Sequence, residues 1–123
     1  MLRDVEISPD GKKVVFESMG HIYTRNISQG KAKGKPKRLT KQSSHFELNP
    51  SFSRDGKKIV YATWHDQNQG QIRIVSSRGG KGKSLLKEKG KYIEPTFSPD
   101  GETVVYRKIS GGFITEPSWD LNT

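Results

Sequence analysis

Short apolar runs recur along this chain, each separated from the next by a long polar stretch. The runs are Val14-Val15-Phe16, Ile59-Val60-Tyr61 and Val104-Val105-Tyr106. Two residues separate each run from a preceding turn-forming tetrapeptide, and the aspartates of these tetrapeptides stand at 10, 55 and 100. The chain is therefore interpreted as units that repeat every 45 residues.

The tetrapeptides have the composition of tight hairpin turns. They are Ser8-Pro9-Asp10-Gly11, Ser53-Arg54-Asp55-Gly56 and Ser98-Pro99-Asp100-Gly101. Proline sets φ for the turn, aspartate accepts hydrogen bonds from nearby backbone N–H groups, and glycine tolerates positive φ. We predict a structural role for these aspartates and glycines. As metal ligands or general bases the aspartates would have to converge, and the repeat places one on each unit.

Four short strands are predicted in each complete unit. Strand A covers 3–9 in the first unit, where Val5 and Ile7 alternate onto one face. Strand B covers 13–18, 58–64 and 103–108, and its consecutive apolar residues favour burial on both faces. Strand C covers 22–27 and 72–77, and strand D covers 37–41 and 83–87, with loops at 28–35 and 78–82. The third unit has strands A and B, and Phe113-Ile114-Thr115 is a candidate for one more strand.

Four antiparallel strands in a unit of this length are typical of a β-propeller blade. We predict an all-β fold, a partial β-propeller with two complete four-stranded antiparallel blades plus half of a third. Residues 1–123 would form a single propeller fragment, with blades at 3–41 and 47–87 and an incomplete blade at 92–123. The predicted core is Val5, Ile7, Val14, Phe16, Ile22, Phe52, Ile59, Tyr61, Ile72, Ile74, Phe97, Val104 and Tyr106.

The repeated unit resembles the TolB-type, WD-like propeller repeat. The resemblance rests on Glu94-Pro95-Thr96-Phe97-Ser98-Pro99-Asp100-Gly101, on Ile22-Tyr23 and on Pro36-Lys37-Arg38-Leu39-Thr40. Segments 45–56 and 106–112 are most similar to the propeller part of propeller–amidohydrolase fusions. The resemblance implies either a fragment of a larger hydrolase of amidohydrolase type or a protein-binding TolB-like propeller of the cell envelope. An extracytoplasmic, periplasmic location is suggested by this resemblance alone.

A closed propeller typically has 4–8 blades, so a chain of 123 residues cannot close a ring alone. Blades bury their faces only against neighbouring blades. We therefore expect the open faces and edges to be covered by the rest of a parent chain or by self-association.

The net charge of +9 arises from 22 Lys and Arg against 13 Asp and Glu. Such a balance fits either a solvated lysine-rich surface or an anionic partner. The meander places the A–B and C–D loops on one face, which collects the basic residues Lys12, Lys13, Lys31, Lys33, Lys35, Lys57, Lys58, Arg78 and Lys81. Anionic-ligand binding through this basic face is one alternative function, and nucleic acid is the less favoured ligand. No apolar run approaches the roughly 20 residues of a membrane span.

The sequence contains no recognisable catalytic constellation. There is no cysteine and no Gly-x-Ser-x-Gly elbow, and His21, His45 and His65 lack the close spacing of zinc ligands. His65-Asp66 could form an oriented base, but a loop histidine beside an aspartate is commonplace. We predict no catalytic residue, no metal and no cofactor in this segment.

The B–C and D–A loops share the other face and carry aromatic and polar side chains. The candidate partner-facing residues are His45, Phe46, Trp64, His65 and Asp66. Aromatic residues are enriched in protein interfaces, so this face is predicted to contact a partner protein or a catalytic domain. The alternative is that these aromatics pack between blades. The leading function is accordingly a non-catalytic scaffold or interaction module.

Overall fold

A computed structural model of the chain describes residues 2–109 and 112–117, with side chains for 2–109. All regular secondary structure in these ranges is β. The strands are β1 Leu2–Ile7, β2 Lys13–Ser18, β3 His21–Ser28, β4 Lys31–Arg38, β5 Phe46–Phe52, β6 Lys58–Trp64, β7 Gln71–Ser76, β8 Lys83–Ser84, β9 Tyr92–Phe97, β10 Thr103–Lys108 and β11 Gly112–Pro117. Among the described residues there is no helix that could span a membrane.

The strands form three separate antiparallel sheets that follow the order of the chain. Blade 1 has the order β1-β2-β3-β4 and blade 2 has the order β5-β6-β7-β8. Blade 3 has β10 at its centre, between β9 and β11. The predicted all-β partial propeller is confirmed, and the third sheet has one strand more than the expected half-blade. The candidate strand Phe113-Ile114-Thr115 lies within β11.

Strand D of blade 1 was predicted wrongly. It runs over Lys31–Arg38 rather than 37–41, so the predicted loop at 28–35 does not exist. The connection from β3 is the two-residue turn Gln29-Gly30, whose φ angles are 54° and 76°. Positive φ at both central positions suits the type of turn that joins adjacent strands directly, and Ser28 pairs with Lys31 across it.

Strand D of blade 2 is shorter than predicted, because β8 contains only Lys83–Ser84. Three of the glycines before it, Gly79, Gly80 and Gly82, have φ angles of 99°, 137° and 70°. Such angles leave the extended region that a strand requires. The connection at 78–82 is therefore a loop, as predicted.

The core lies at the two junctions between blades. The first cluster joins Val15, Ile22 and Leu39 of blade 1 to Phe52, Ile59, Tyr61 and Val75 of blade 2. The second joins blade 2 to blade 3 and contains Val60, Ala62, Ile72, Ile74, Leu85, Tyr92, Val104 and Tyr106. Successive residues of β6 thus enter different clusters, which confirms that this strand is covered on both faces.

The predicted core positions on the outer side of blade 1 are wrong. Val5 and Ile7 are 59% and 60% exposed, and Val14 is only half-buried. In β2 it is Val15 that is fully buried, because the alternation of the strand directs it toward blade 2. No blade of the described chain covers the opposite side, where Leu2, Val5, Val14, Phe16 and Tyr23 line a shallow apolar cavity.

Phe97 is also half-buried and packs at the margin of the second cluster. The remaining predicted core residues are buried: Phe16, Ile22, Phe52, Ile59, Tyr61, Ile72, Ile74, Val104 and Tyr106.

Polar contacts also link the blades through their first strands. Asp4, Asn49 and Glu94 occupy equivalent repeat positions and have φ angles of 54°, 52° and 55°. The Asn49 backbone N–H donates to Asp4 Oδ2 at 3.1 Å, and the Glu94 N–H donates to Asn49 Oδ1 at 3.1 Å. The strands are irregular here, with the pairing of β1 shifted between Arg3 and Glu6. Strands β1 and β5 therefore each present a side-chain acceptor to the next blade.

Truncating one isoleucine on each face compares the covered face of a blade with the uncovered one. Ile59→Ala should lower the free energy of unfolding by about 2–5 kcal/mol, because Ile59 is fully buried between blades 1 and 2. Ile7→Ala should cost less than about 0.5 kcal/mol, because that side chain is exposed. Urea denaturation of both variants measures the difference. An equal loss in Ile7→Ala would mean that blade 1 is covered in solution.

Candidate protein-interaction surface

The turn aspartates make local contacts that are nearly the same in every blade. Asp10 Oδ1 accepts hydrogen bonds from the Ser8 hydroxyl at 2.7 Å and from the Lys12 N–H at 2.9 Å. Asp55 and Asp100 accept the equivalent pairs of bonds. The hydrogen bond from the Lys12 N–H, followed by that from Ser8, holds the pKa of Asp10 below its ordinary value. These carboxylates are directed into their own turns.

The glycines of these turns have positive φ. The angles at Gly11, Gly56 and Gly101 are 73°, 73° and 75°, in the left-handed region that glycine adopts without steric cost. The described residues contain no group of three or more His, Cys, Asp or Glu side chains that could hold a metal ion.

At the opposite ends of the strands, two aromatic side chains stand side by side. Phe46 and Trp64 are cross-strand partners at the ends of β5 and β6. Phe46 is 52% exposed and Trp64 is half-buried. The Lys91 ammonium lies 5.4 Å from the centroid of the Trp64 ring, within cation–π range. The Trp64 Nε1–H donates to Asp66 Oδ1 at 3.0 Å, so the indole is held at both its face and its edge.

Phe46 is seated against the β2–β3 hairpin of blade 1. A Cβ atom on Gly20 would lie 2.3 Å from Phe46 Cδ1, so this close approach requires glycine. The neighbouring Met19 is 86% exposed and completes an apolar patch with Phe46 and Trp64. We call these three residues the aromatic ridge.

The aromatic ridge separates two cavities, and Phe46 and Trp64 line both. One has a volume of about 690 Å³ and is also lined by charged groups that include Asp4, Glu17 and Lys91. The other has a volume of about 400 Å³. Its remaining lining is His21, Ser43, Ser44, His45, His65, Asp66 and Gln67. The structure thus brings all five candidate partner-facing residues to the smaller cavity.

The smaller cavity also brings together three histidines that are distant in sequence. His65 Nδ1 accepts hydrogen bonds from the Gln67 and Asn68 N–H groups at 3.1 and 3.0 Å, so it shapes its own loop. Burial is the largest cause that holds the pKa of His45 below its ordinary value. His21 Nδ1 lies 4.0 Å from Glu47 Oε1. The histidines therefore give the cavity a polar wall.

Glu47 is a structural residue that the sequence analysis missed. It is fully buried in β5, and its carboxylate accepts hydrogen bonds from the Ile22 N–H at 2.9 Å and from the Gln42 side chain at 3.0 Å. The Thr40 hydroxyl donates to the same carboxylate. The repeat gives no signal for this acid, because the equivalent positions are Leu2 and Tyr92. The available signal was an acid between the apolar residues Phe46 and Leu48.

The predicted basic face is only partly formed. Lys31, Lys33 and Lys35 lie along the outer strand β4 rather than in a loop. Lys13 is half-buried, and its ammonium donates to the Ser77 carbonyl at 3.2 Å. The lysines are therefore distributed over an edge, a turn and a blade junction.

No family model and no curated protein matches the chain. Solved propellers match nearly all of it. TolB from Acinetobacter baumannii has a TM-score of 0.67 at 18% identity, covering 95% of this chain and 32% of that one. The Cps50 (Swd1) β-propeller domain from Myceliophteria thermophila has a TM-score of 0.75 at 14% identity, covering 98% and 38%. A puromycin hydrolase S511A mutant, solved in complex with PGG, has a TM-score of 0.69 at 12% identity, covering 94% and 20%.

The chain has the fold of a TolB-like β-propeller segment. Identities at this level establish the fold and leave the function to be argued from the sites. The chain spans 32%, 38% and 20% of the lengths of the three solved chains named here, in that order. It spans 62% of the length of one further solved chain that it matches.

The half-buried His45 should make the stability of this propeller segment depend on pH. The pKa of His45 is lowered from 6.5 in the folded state, so the unfolded chain binds the proton more tightly. The contribution of His45 is therefore complete above pH 6.5 and is lost as the pH falls through 6.5 toward the folded pKa. His45→Gln should flatten this decline in urea denaturation at about pH 7.5 and about pH 5.5.

A matched control is Ser43→Ala, which alters an exposed position in the same cavity. It should retain the pH dependence of the wild type. An identical slope in the wild type and in His45→Gln would contradict the assignment.

Proposed function

We propose that this chain is a non-catalytic interaction module of a larger propeller protein, and that it docks a protein partner through the aromatic ridge. The observation that carries this proposal is the pair of exposed Phe46 and half-buried Trp64 between two cavities. Large aromatic side chains with apolar neighbours dominate the binding energy of protein interfaces.

The burial of the aromatic residues supports docking over packing between blades. Tyr61 and Tyr106 fill the junctions and are 1% and 3% exposed, whereas Phe46 is 52% exposed. The contact with Gly20 and the hydrogen bond to Asp66 hold the ridge in one arrangement without covering it. A preformed apolar surface loses little conformational entropy when a partner binds.

Asp66 and His65 beside the ridge have structural partners, which supports a binding role rather than catalysis for this pair. Asp66 accepts the Trp64 indole N–H, and His65 Nδ1 accepts two backbone N–H groups of its own loop. His65 and Asp66 are thereby turned to different partners instead of forming the oriented base considered from the sequence.

We further propose that the chain belongs to a larger protein, with a hydrolase of amidohydrolase type as the leading candidate. The similarity to a propeller within puromycin hydrolase supports a link between this fold and hydrolases. The similarity to TolB supports the alternative, a binding propeller without an enzyme domain. The uncovered apolar side of blade 1 favours additional blades in either case.

Site-specific photocrosslinking tests docking at the aromatic ridge. A benzophenone amino acid at Met19 should form an adduct of defined mass in source cells, because Met19 is 86% exposed beside Phe46. The adduct should be lost when Phe46→Ala and Trp64→Ala are introduced together. The same probe at Lys57, an exposed residue of a turn at the other end of the strands, is the control.

Far-UV circular dichroism and the unfolding midpoint should confirm that the double variant retains its sheets. An equally strong adduct from Lys57, or one that persists in the folded double variant, would contradict docking at the ridge.

The mass of the native gene product tests the proposal of a larger protein. An antibody against this segment, used on an extract of source cells, should detect a band several times larger than 13.9 kDa. His and Asp metal-ligand motifs beyond this segment would support the hydrolase, and further blades alone would support the binding propeller. A band near 13.9 kDa would overturn the hydrolase parent and leave self-association to cover the blade faces.

A further inference from the structure

A strongly basic groove lies on the outer side of the junction between blades 1 and 2. Its volume is about 750 Å³, and it is bounded by the end of β4, the segment that follows it, β7 and the β7–β8 loop. The groove is lined by the basic residues Lys37, Arg38, Lys41, Arg73, Arg78 and Lys81. In the described part of the chain no carboxylate contributes to this lining. We call it the basic groove.

The floor of the basic groove is fixed by a contact between the two blades. The Gly80 N–H donates to the Leu39 carbonyl at 3.0 Å, and the Leu39 side chain is 2% exposed. A Cβ atom on Gly79, where φ is 99°, would lie 3.0 Å from that same carbonyl. Glycine therefore allows the β7–β8 loop to lie close to blade 1, and the groove is already formed without a ligand.

Two of the three guanidinium groups in the groove are oriented by hydrogen bonds to neutral acceptors. Arg73 donates to Ser84 Oγ at 2.9 Å and to the Lys81 carbonyl at 3.2 Å. Arg38 donates to the Gln42 carbonyl at 2.6 Å, while its buried Nε has no partner among the described residues. Guanidinium groups held in this way retain further donors for a carboxylate.

No salt bridge to a cation of the groove is found in the described chain, although the buried Glu47 carboxylate accepts hydrogen bonds from Thr40 and Gln42 of the lining. The salt bridge found there joins Arg107 to Glu94, and His21 Nδ1 lies 4.0 Å from Glu47 Oε1, so neither contact involves a cation of the groove. Lys37, Lys41, Arg78 and Lys81 are exposed. Cations gathered in one concave surface raise the local concentration of anions and favour their binding.

We propose that the basic groove binds an acidic peptide segment of a partner protein, whose Asp and Glu carboxylates pair with these cations. The lining contains no Phe, Tyr or Trp ring on which nucleic-acid bases could stack, and His45 is its one aromatic side chain among the described residues. A concave site of this size is also too small for a nucleic-acid duplex. The cations come from several separate segments of the chain, which suits carboxylates spaced along a peptide better than one compact anion. The groove shares His45 with the smaller cavity beside the aromatic ridge, but Met19, Phe46 and Trp64 do not line it.

Fluorescence anisotropy with a labelled Asp/Glu-rich peptide tests this proposal on the whole chain. The groove variant carries Lys41→Glu, Arg78→Glu and Lys81→Glu, all at exposed positions of the groove. The control variant carries Lys12→Glu, Lys33→Glu and Lys57→Glu, also at exposed positions, and has the same net charge. Affinity should fall at least about tenfold in the groove variant and less than about threefold in the control, at physiological ionic strength.

Far-UV circular dichroism should show that both variants retain their sheets. If the groove variant does not fold, Lys41→Gln, Arg78→Gln and Lys81→Gln replace its substitutions, and the same loss of affinity is expected. Absence of peptide binding, or equal losses in the groove and control variants, would overturn the site. Tighter binding of tripolyphosphate or of a single-stranded oligonucleotide that is lost in the groove variant would overturn the choice of a peptide.

Discussion

The structure depends on one constraint, namely that a blade can bury its apolar faces only against another blade. Strand β6 shows the constraint in full, because Ile59 and Tyr61 enter the cluster with blade 1 while Val60 and Ala62 enter the cluster with blade 3. Apolar side chains of the same kind remain exposed where the described chain has no neighbouring blade, as at Ile7. Burial in this fold is therefore decided by the position of a blade in the array as much as by its own sequence.

Polar contacts follow the same junctions, but they divide into two kinds. The acceptors of Asp4 and Asn49 repeat from blade to blade and bind the backbone of the next first strand. The carboxylate of Glu47 has no equivalent and joins blade 2 to the Ile22 N–H of blade 1 at one junction only. A buried carboxylate is tolerated because several donors replace its lost hydration. The junctions thus combine a repeated ladder with contacts, such as that of Glu47, that the repeat does not contain.

Much of the fold could be predicted from the sequence, because turn chemistry and apolar runs recur at a fixed spacing. Strands β2, β6 and β10 begin and end where the pattern places them. The bounds of the outer strands were harder to predict, because β4 is exposed along nearly its whole length and has no apolar pattern. The candidate surface was predicted as a set of loops on one face. The seating of Phe46 on Gly20 depends on a contact between blades, and no local pattern encodes it.

The two proposed binding surfaces arise where the blades depart from their common pattern. Met19 and Trp64 are equivalent by the repeat, but only Trp64 has an aromatic cross-strand partner, so the ridge stands at blade 2. Arg73 pairs with Tyr61 where Tyr23 pairs with Phe16 in blade 1. Tyr23 of blade 1 stacks on Phe16 at the position that Arg73 occupies in blade 2. Arg73 instead contributes a guanidinium to the basic groove. Residues that keep the repeat build the blades, and substitutions at equivalent positions supply surfaces that distinguish one junction from the next.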